Sequence, residues 1–310
     1  MFAVIRNTLD AIFNTRPNYI KSIFGEPDSW ADTDKFSEFN LASADLLKFV
    51  KYSSEVALPP FFGDSQFLKP FIPSFLQSIL FMERASIFDV SMVSKNDQIE
   101  DEKWFFINGI VTNEDLAMSN GKYISLLFQR PITILHNPTN GIGLDMIQSA
   151  MGKFGHTNVE FAKFVLPQIR KALSEKEKVV LMSHSQGTLI TSTILDMLIQ
   201  ERNPYIGKLE IYAFANCAEE MSHKPIADKN NKPLIESFSN EHDVVAKLGV
   251  LHPYREERGI QIDGEHFIKK DGWGHFLNIH YLKGFVKGEY IHDSGKKVTS
   301  KLFTYLNGKK

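Results

Sequence analysis

Residues 179–190 read Val179-Val180-Leu181-Met182-Ser183-His184-Ser185-Gln186-Gly187-Thr188-Leu189-Ile190. A β-branched apolar run enters a turn of small residues, and an apolar helical pattern leaves it. A sharp strand-to-helix turn of this kind brings the strand and the helix close together and exposes the serine at its centre. We therefore predict that Ser185 is a nucleophile. The alternative is an ordinary turn in which Ser185 caps the helix.

The chain around this stretch alternates short apolar runs with helical periods from residue 104 onward. Such alternation is typical of βα units that build a parallel sheet. The predicted strands are 104–110, 132–136, 178–183, 209–215, 234–239 and 266–270. The predicted helices are 113–128, 158–174, 186–200 and 276–285. The sequence therefore predicts an α/β fold with a mostly parallel central sheet flanked by helices.

The first 100 residues have a different pattern, with short helical pieces broken by prolines and no clear strand alternation. They hold 13 of the 25 phenylalanines, and a helix over 71–82 would place Phe71, Phe75 and Ile79 on one stripe. We expect a helical Phe-rich extension (1–100), a catalytic core (101–295) and a C-terminal tail (296–310). The extension is interpreted as a lid, an acyl-chain groove or a lipid or partner contact, with plain core packing as the alternative.

Composition excludes several classes of protein. The 35 Lys and Arg residues against 37 Asp and Glu leave a net charge of −2, without the basic surplus that nucleic-acid phosphates require. The single cysteine, Cys217, excludes a disulfide framework and a multi-cysteine metal centre. The longest clean apolar run, 71–82, is short for a membrane span, and the start lacks the features of a signal peptide. We expect a cytoplasmic protein by default. The sequence leaves open whether the protein contacts a membrane peripherally, whether it is exported by a non-classical route, and what its oligomeric state is.

The acid and the histidine that would assist Ser185 are sought further along the chain, in the loops that leave the later predicted strands. Asp243 lies in the loop that leaves the predicted strand 234–239. We predict that its carboxylate orients the imidazole of the base and stabilises the positive charge that forms there. A helix N-cap is the alternative role for Asp243. Glu241 and Asp271 are weaker candidates for the acid.

Four downstream histidines are candidates for the base: His266, His275, His280 and His292. A glycine-rich loop, Asp271-Gly272-Trp273-Gly274, delivers His275 directly before the last predicted helix. His280 falls inside that helix, a position that suits packing. We therefore predict that His275 is the base.

Two backbone N–H groups are predicted to stabilise the oxyanion. One belongs to Gln186, the residue after the nucleophile. The other belongs to Ile110 or Gly109, because a glycine after the first core strand lets the backbone approach the reacting carbonyl. An ordinary Asn-Gly turn is the alternative. The residues predicted to contact the substrate are Gly109, His184, Phe71, Phe75 and Ile79, with His184 as a wall or packing residue.

Taken together, the turn at 183–187, the order Ser185, Asp243, His275 and the tail Gly274-His275-Phe276 through His280-Tyr281-Leu282 resemble the α/β-hydrolase superfamily. The resemblance is to its serine lipases and esterases, including bacterial lipases, and it covers about residues 104–285. One departure is Ser183, which stands where the family motif G-x-S-x-G has its first glycine. The family needs no metal and no organic cofactor, so the resemblance implies none here.

The resemblance implies a serine hydrolase that cleaves carboxylic esters of a small molecule or a lipid through an acyl-enzyme. A thioesterase or an amidase would use the same residues. An exported lipid-active toxin is a further alternative. The last is a catalytically silent hydrolase fold that serves as a binding module.

Overall fold

The computed structural model describes residues 19–26, 29, 34–38, 85–94, 99–109, 112–138 and 155–309. Its α-helices are α1 (Tyr19–Phe24), α2 (Glu114–Phe128), α3 (Gly155–Glu175), α4 (Gly187–Gln200), α5 (Lys283–Val286) and α6 (Lys301–Thr304). Its strands are β1 (Ser86–Val90), β2 (Glu102–Ile107), β3 (Ile132–His136), β4 (Lys178–His184), β5 (Leu209–Phe214), β6 (Glu220–Met221), β7 (Leu234–Asn240), β8 (Gln261–Ile262), β9 (Glu265–Lys269) and β10 (Ile291–His292). A π-helix spans Leu277–Leu282, and short 3₁₀ turns lie at Ile206–Lys208, Lys229–Asn231, Ala246–Leu248 and Leu306–Gly308.

Eight of these strands form one sheet in the order β1-β3-β2-β4-β5-β7-β9-β10. The six central strands run parallel, whereas β1 and β10 pair antiparallel at the two edges. The strands β6 and β8 pair as a separate small sheet. Because all the parallel strands point the same way, the loops that follow β2, β4, β7 and β9 leave from the same edge of the sheet.

Both faces of the sheet are covered by helices. In β4, Val179 and Leu181 pack with α3 and α4 on one face, while Val180 and Met182 pack with α2 and α6 on the other. These four side chains are fully buried. Burial on both faces explains why β4 has an unbroken apolar run and no alternation of polar residues.

The predicted fold class is confirmed, since a mostly parallel sheet lies between helices. Most predicted elements differ from the observed ones by a few residues at their ends. The strand predicted at 104–110 ends earlier, at Ile107, because the side chain of Asn108 bonds to the backbone of Asn137 and the chain turns away. The helix predicted at 276–285 is wrong in type over its first part, which is a π-helix with wider turns.

One strand lies where the sequence analysis found no strand alternation. The strand β1 pairs with β3 from Ser86↔His136 to Val90↔Ile132, so the sheet begins before residue 101. This edge strand reads Ser-Ile-Phe-Asp-Val, which does not alternate between apolar and polar residues, and only Val90 is buried. At the other end of the chain, α6 and the residues after it bury Leu302, Tyr305 and Leu306 in the core. The C-terminal tail is therefore packed against the sheet.

The phenylalanine-rich stretch before β1 lies mostly outside the described residues. The helix predicted at 71–82, with Phe71, Phe75 and Ile79, belongs to that part and stays a prediction. Among the helices that are described, none combines the length and the apolar character that crossing a bilayer requires.

Candidate catalytic site

Ser185 lies at the sharp turn between β4 and α4, at the carboxyl end of a central strand. Its φ angle is 57°, in the left-handed region that a non-glycine residue rarely adopts. Neighbouring groups hold it there. Its N–H donates to the carbonyl of Phe214 (3.0 Å), and its carbonyl accepts from the N–H (2.9 Å) and the hydroxyl (2.7 Å) of Thr188. The strained turn is thus fixed by the adjacent strand β5 and by the first turn of α4.

The two small residues that flank Ser185 in the turn, Ser183 and Gly187, differ in how strictly the structure requires a small side chain. A Cβ atom on Gly187 would lie 2.6 Å from the carbonyl oxygen of Ile107 and 2.8 Å from that of Asn108. Only glycine therefore lets α4 pack this closely on the end of β2. Ser183 replaces the other motif glycine, and its buried hydroxyl has no hydrogen-bond partner in the structure. The fold tolerates that serine at the cost of a desolvated hydroxyl.

The structure brings together three of the predicted side chains. His275 Nε2 lies 2.9 Å from Ser185 Oγ, and His275 Nδ1 lies 2.8 Å from Asp243 Oδ2. An ionised carboxylate can only accept hydrogen bonds, so Nδ1 carries the proton and donates it to Asp243. The lone pair of Nε2 then faces the hydroxyl of Ser185. This arrangement is the one in which an imidazole can take the serine proton.

Asp243 is completely buried and is held by further donors. Oδ2 also accepts from the hydroxyl of Tyr281 (2.6 Å), and Oδ1 accepts from the N–H of Val245 (2.8 Å). Burial alone would raise the pKa of Asp243, but its electrostatic interaction with His275 and these hydrogen bonds hold that pKa below its usual value. The carboxylate is therefore ionised, although it is fully buried.

His184 packs against His275 and donates a hydrogen bond to its backbone. Its Nε2–H donates to the carbonyl of His275 (2.8 Å), and the two rings lie 4.6 Å apart. Burial, together with the charge of His275, lowers the pKa of His184 to about 3, so this ring stays neutral. The packing expected for His184 is present. Contact between His184 and a substrate stays a prediction.

The other candidates for the base make different contacts. His280 is buried, and its Nδ1 accepts from the N–H of Phe276 (2.9 Å). His266 lies 3.1 Å from the hydroxyl of Ser239, and His292 lies 2.5 Å from a carboxylate oxygen of Glu265. Of the four downstream histidines, only His275 is within hydrogen-bonding distance of Ser185 in the structure.

The competing acids belong to a surface cluster. The possible ligand atoms of Glu241, His242 and Asp271 lie within 4.8 Å of one another, the one potential metal-binding group found among the described residues. Both carboxylate oxygens of Glu241 are already used, since they accept from Lys270 (3.1 Å) and from the N–H of Asp271 (2.8 Å). The His242 ring stacks on Trp273 at 4.1 Å. We assign no metal to this cluster.

Of the predicted oxyanion donors, Gln186 and Gly109 lie within the part of the chain that the structure describes. Gln186 is the N-cap residue of α4, so its N–H lies at the positive end of that helix. A Cβ atom on Gly109 would lie 2.6 Å from Ser185 Cβ, so the backbone of Gly109 passes directly beside the nucleophile. Ile110, the preferred second donor, lies outside the described residues.

The sequence analysis missed two asparagines that hold this loop. Asn108 accepts from the N–H of Asn137 (2.8 Å) and donates to the carbonyls of Asn137 (2.8 Å) and Gly109 (3.0 Å). The side chain of Asn137 in turn donates to Gln186 Oε1 (3.0 Å). Each asparagine directly follows a parallel strand, and this common position is the signal that would have indicated them.

No protein-family model matches the sequence, and a search of curated proteins gives no match. Similar solved structures include an arylesterase at 10% identity and a TM-score of 0.43, over 86% of this chain and 99% of the arylesterase. A hyperthermophilic esterase from the archaeon Pyrobaculum calidifontis is 11% identical, with a TM-score of 0.40 over 66% of this chain and 82% of its own. An esterase from the fungus Rhizomucor miehei is 12% identical, with a TM-score of 0.40 over 84% and 87%.

These likenesses are distant, since none of the three has a TM-score above 0.43, and no argument rests on them. The structure itself shows the strand order and a sharp turn at Ser185, which joins a central parallel strand to a helix. It agrees with the resemblance drawn from the sequence.

Proposed function

We propose that the protein is a serine hydrolase that cleaves carboxylic esters through an acyl-enzyme. The observation that carries the proposal is the continuous hydrogen-bonded path from Ser185 Oγ through His275 to Asp243, with distances of 2.9 and 2.8 Å. The path begins on a strained turn at the end of a central strand. Strain of this kind is retained where a function depends on it.

The reaction follows from the protonation states at the site. His275 Nε2 takes the proton of Ser185 as Oγ attacks the ester carbonyl, and Asp243 stabilises the imidazolium. The N–H of Gln186 and that of Ile110 or Gly109 receive the oxyanion. His275 then returns the proton to the leaving alcohol. A water molecule then gives a proton to His275 and attacks the acyl carbon. The bond to Oγ breaks, His275 returns the proton to Ser185, and the carboxylic acid leaves.

The substrate in this proposal is a small-molecule or lipid ester. The N-terminal stripe of Phe71, Phe75 and Ile79 would contact its acyl chain, and each buried methylene would contribute about 0.8 kcal/mol. Long-chain esters should then be preferred. Replacing Phe75 and Ile79 by serine should reduce this preference and leave short-chain esters nearly unaffected.

The proposal is tested with p-nitrophenyl esters of graded chain length. Ser185→Ala should lose about 10⁴- to 10⁶-fold in kcat and keep its fold. Ser183→Ala is the matched control, because it removes a buried hydroxyl two residues away that has no hydrogen-bond partner in the structure. It should keep the activity of the wild type. If Ser185→Ala retains more than about a tenth of that activity, Ser185 is not the nucleophile.

A further inference from the structure

The loops that carry Asp243 and His275 are joined by residues from the other end of the chain. We use "N-terminal segment" for residues 19–26, 29 and 34–38, which the structure describes. The contacts with the two loops begin at Ser22 and Ile23 of α1. The side chain of Ser22 is fully buried.

The hydroxyl of Ser22 bonds on both sides of Asp243. It donates to the carbonyl of His242 (2.7 Å) and accepts from the N–H of Val244 (2.7 Å). One side chain therefore fixes the backbone before and after the carboxylate. Without this hydroxyl, a buried N–H and a carbonyl would each lose a partner.

The neighbouring residue bonds to the base loop. The carbonyl of Ile23 accepts from the N–H of His275 (2.9 Å). Ile23 lies in the last turn of the six-residue helix α1, where carbonyl groups have no partner within the helix and are available to other donors. Because Ser22 and Ile23 are adjacent, two consecutive residues connect the loop of the acid to the loop of the base.

The rest of the N-terminal segment holds the residues that follow His275. The carboxylate of Glu38 accepts from the N–H groups of Asn278 (2.6 Å) and Ile279 (3.1 Å), at the start of the π-helix. The hydroxyl of Ser29 lies 3.3 Å from His280 Nε2. The base loop is therefore held at His275, where it ends, and along the helix that follows.

We propose that Ser22 is a positioning residue for catalysis. Together with the carbonyl of Ile23, it sets the position of Asp243 relative to His275 and so keeps Nε2 directed at Ser185. The inference rests on the serine-hydrolase function proposed above. It gives the N-terminal segment a part in the chemical step, in addition to the substrate choice expected for the N-terminal region from the sequence.

The test compares Ser22→Ala with Ser37→Ala. Ser37 is a matched control because it lies in the same segment and is fully buried, yet its hydroxyl bonds to no group in the structure. Ser22→Ala should lower kcat about 10- to 100-fold, since displacement of a reacting group by about 1 Å has an effect of that size. KM should stay within about threefold, and the acid limb of the kcat/KM profile should move to lower pH. Ser37→Ala should match the wild type in all three.

A second variant covers the case in which Ser22→Ala does not fold. Ser22→Cys has nearly the same size but a weaker hydrogen-bonding group, so its kcat should lie between those of the wild type and Ser22→Ala. Folding is checked by circular dichroism. If the folded Ser22 variants have the kcat and the pH profile of Ser37→Ala, the positioning role is overturned.

A measurement that does not depend on turnover separates this inference from the proposed function. The Nδ1 proton of His275 should give a downfield signal in proton NMR, identified by its loss in Asp243→Asn. That signal should move in Ser22→Ala and Ser22→Cys and stay in place in Ser37→Ala. If the wild type hydrolyses no ester, the proposed function fails, and an unmoved signal would independently overturn the positioning role.

Discussion

Replacing Gly109 by alanine would place a methyl group against the nucleophile. The new Cβ atom would lie 2.6 Å from Ser185 Cβ and 3.0 Å from the carbonyl oxygen of His184. Ser185 cannot move away, because its N–H and its carbonyl are both bonded to neighbouring groups. The loop at Asn108 and Gly109 must therefore shift by about 1 Å to restore an ordinary contact.

This shift moves the predicted second oxyanion donor out of position. Removal of one such donor typically lowers kcat by about 10²- to 10³-fold, and a misplacement of about 1 Å has a similar effect. We therefore expect kcat/KM to fall about 100-fold or more. Overpacking at a site of this kind lowers the free energy of unfolding by about 1–3 kcal/mol, so most of the protein stays folded.

The assay measures kcat/KM on a short-chain p-nitrophenyl ester and the melting temperature on the same preparation. Gly284→Ala is the control, because the atoms nearest to its new Cβ belong to the flexible side chains of Glu289 (3.0 Å) and Lys269 (3.2 Å). It should leave kcat/KM unchanged. The reasoning is refuted if Gly109→Ala keeps kcat/KM within about threefold of the wild type at an unchanged melting temperature.

Three further predictions concern buried polar groups. Ser183→Ala should raise the free energy of unfolding by about 1 kcal/mol or more in urea titration, because it removes a buried hydroxyl without a partner in the structure; a loss of stability would contradict this. His275→Ala should lower kcat as much as Ser185→Ala does, whereas His280→Ala should mainly lower the melting temperature. A larger loss of kcat in folded His280→Ala than in folded His275→Ala would make His280 the base. Burial raises the pKa of Glu38 from 4.5 to about 7, so stability should fall as the pH rises between these values. Glu38→Gln should remove roughly 2–3 kcal/mol of that fall between about pH 5 and pH 8; an unchanged fall would show that Glu38 is not its source.

The central strands could be predicted because each has a strong local pattern. β3 has the predicted bounds, and β4 differs by one residue, since β3 is mostly apolar and β4 has an unbroken apolar run from Val179 to Met182. β1 could not be predicted, because this edge strand has only five residues and they do not alternate between apolar and polar. The π-helix at Leu277–Leu282 could not be predicted either, because its apolar residues follow much the same spacing as those of an α-helix.

The site could be predicted where its residues lie in local motifs. Ser185 and His275 each follow a strand and precede a helix, and the structure places His275 between Ser185 and Asp243. The groups that support them leave no local signal. Ser22 donates to the carbonyl of His242, which is 220 residues away along the chain. Tyr281 donates to Asp243, which is 38 residues away. Contacts at such separations depend on how the whole chain folds.

The most direct test of the proposed nucleophile is to react the protein with a fluorophosphonate and map the modified peptide by mass spectrometry. The serine oxygen attacks phosphorus and fluoride leaves, so the adduct marks the activated hydroxyl. We predict one adduct, on Ser185, absent in Ser185→Ala and formed far more slowly in His275→Ala. An adduct on another residue, equal labelling of Ser185→Ala, or no adduct on the folded wild type would contradict the proposed catalytic site.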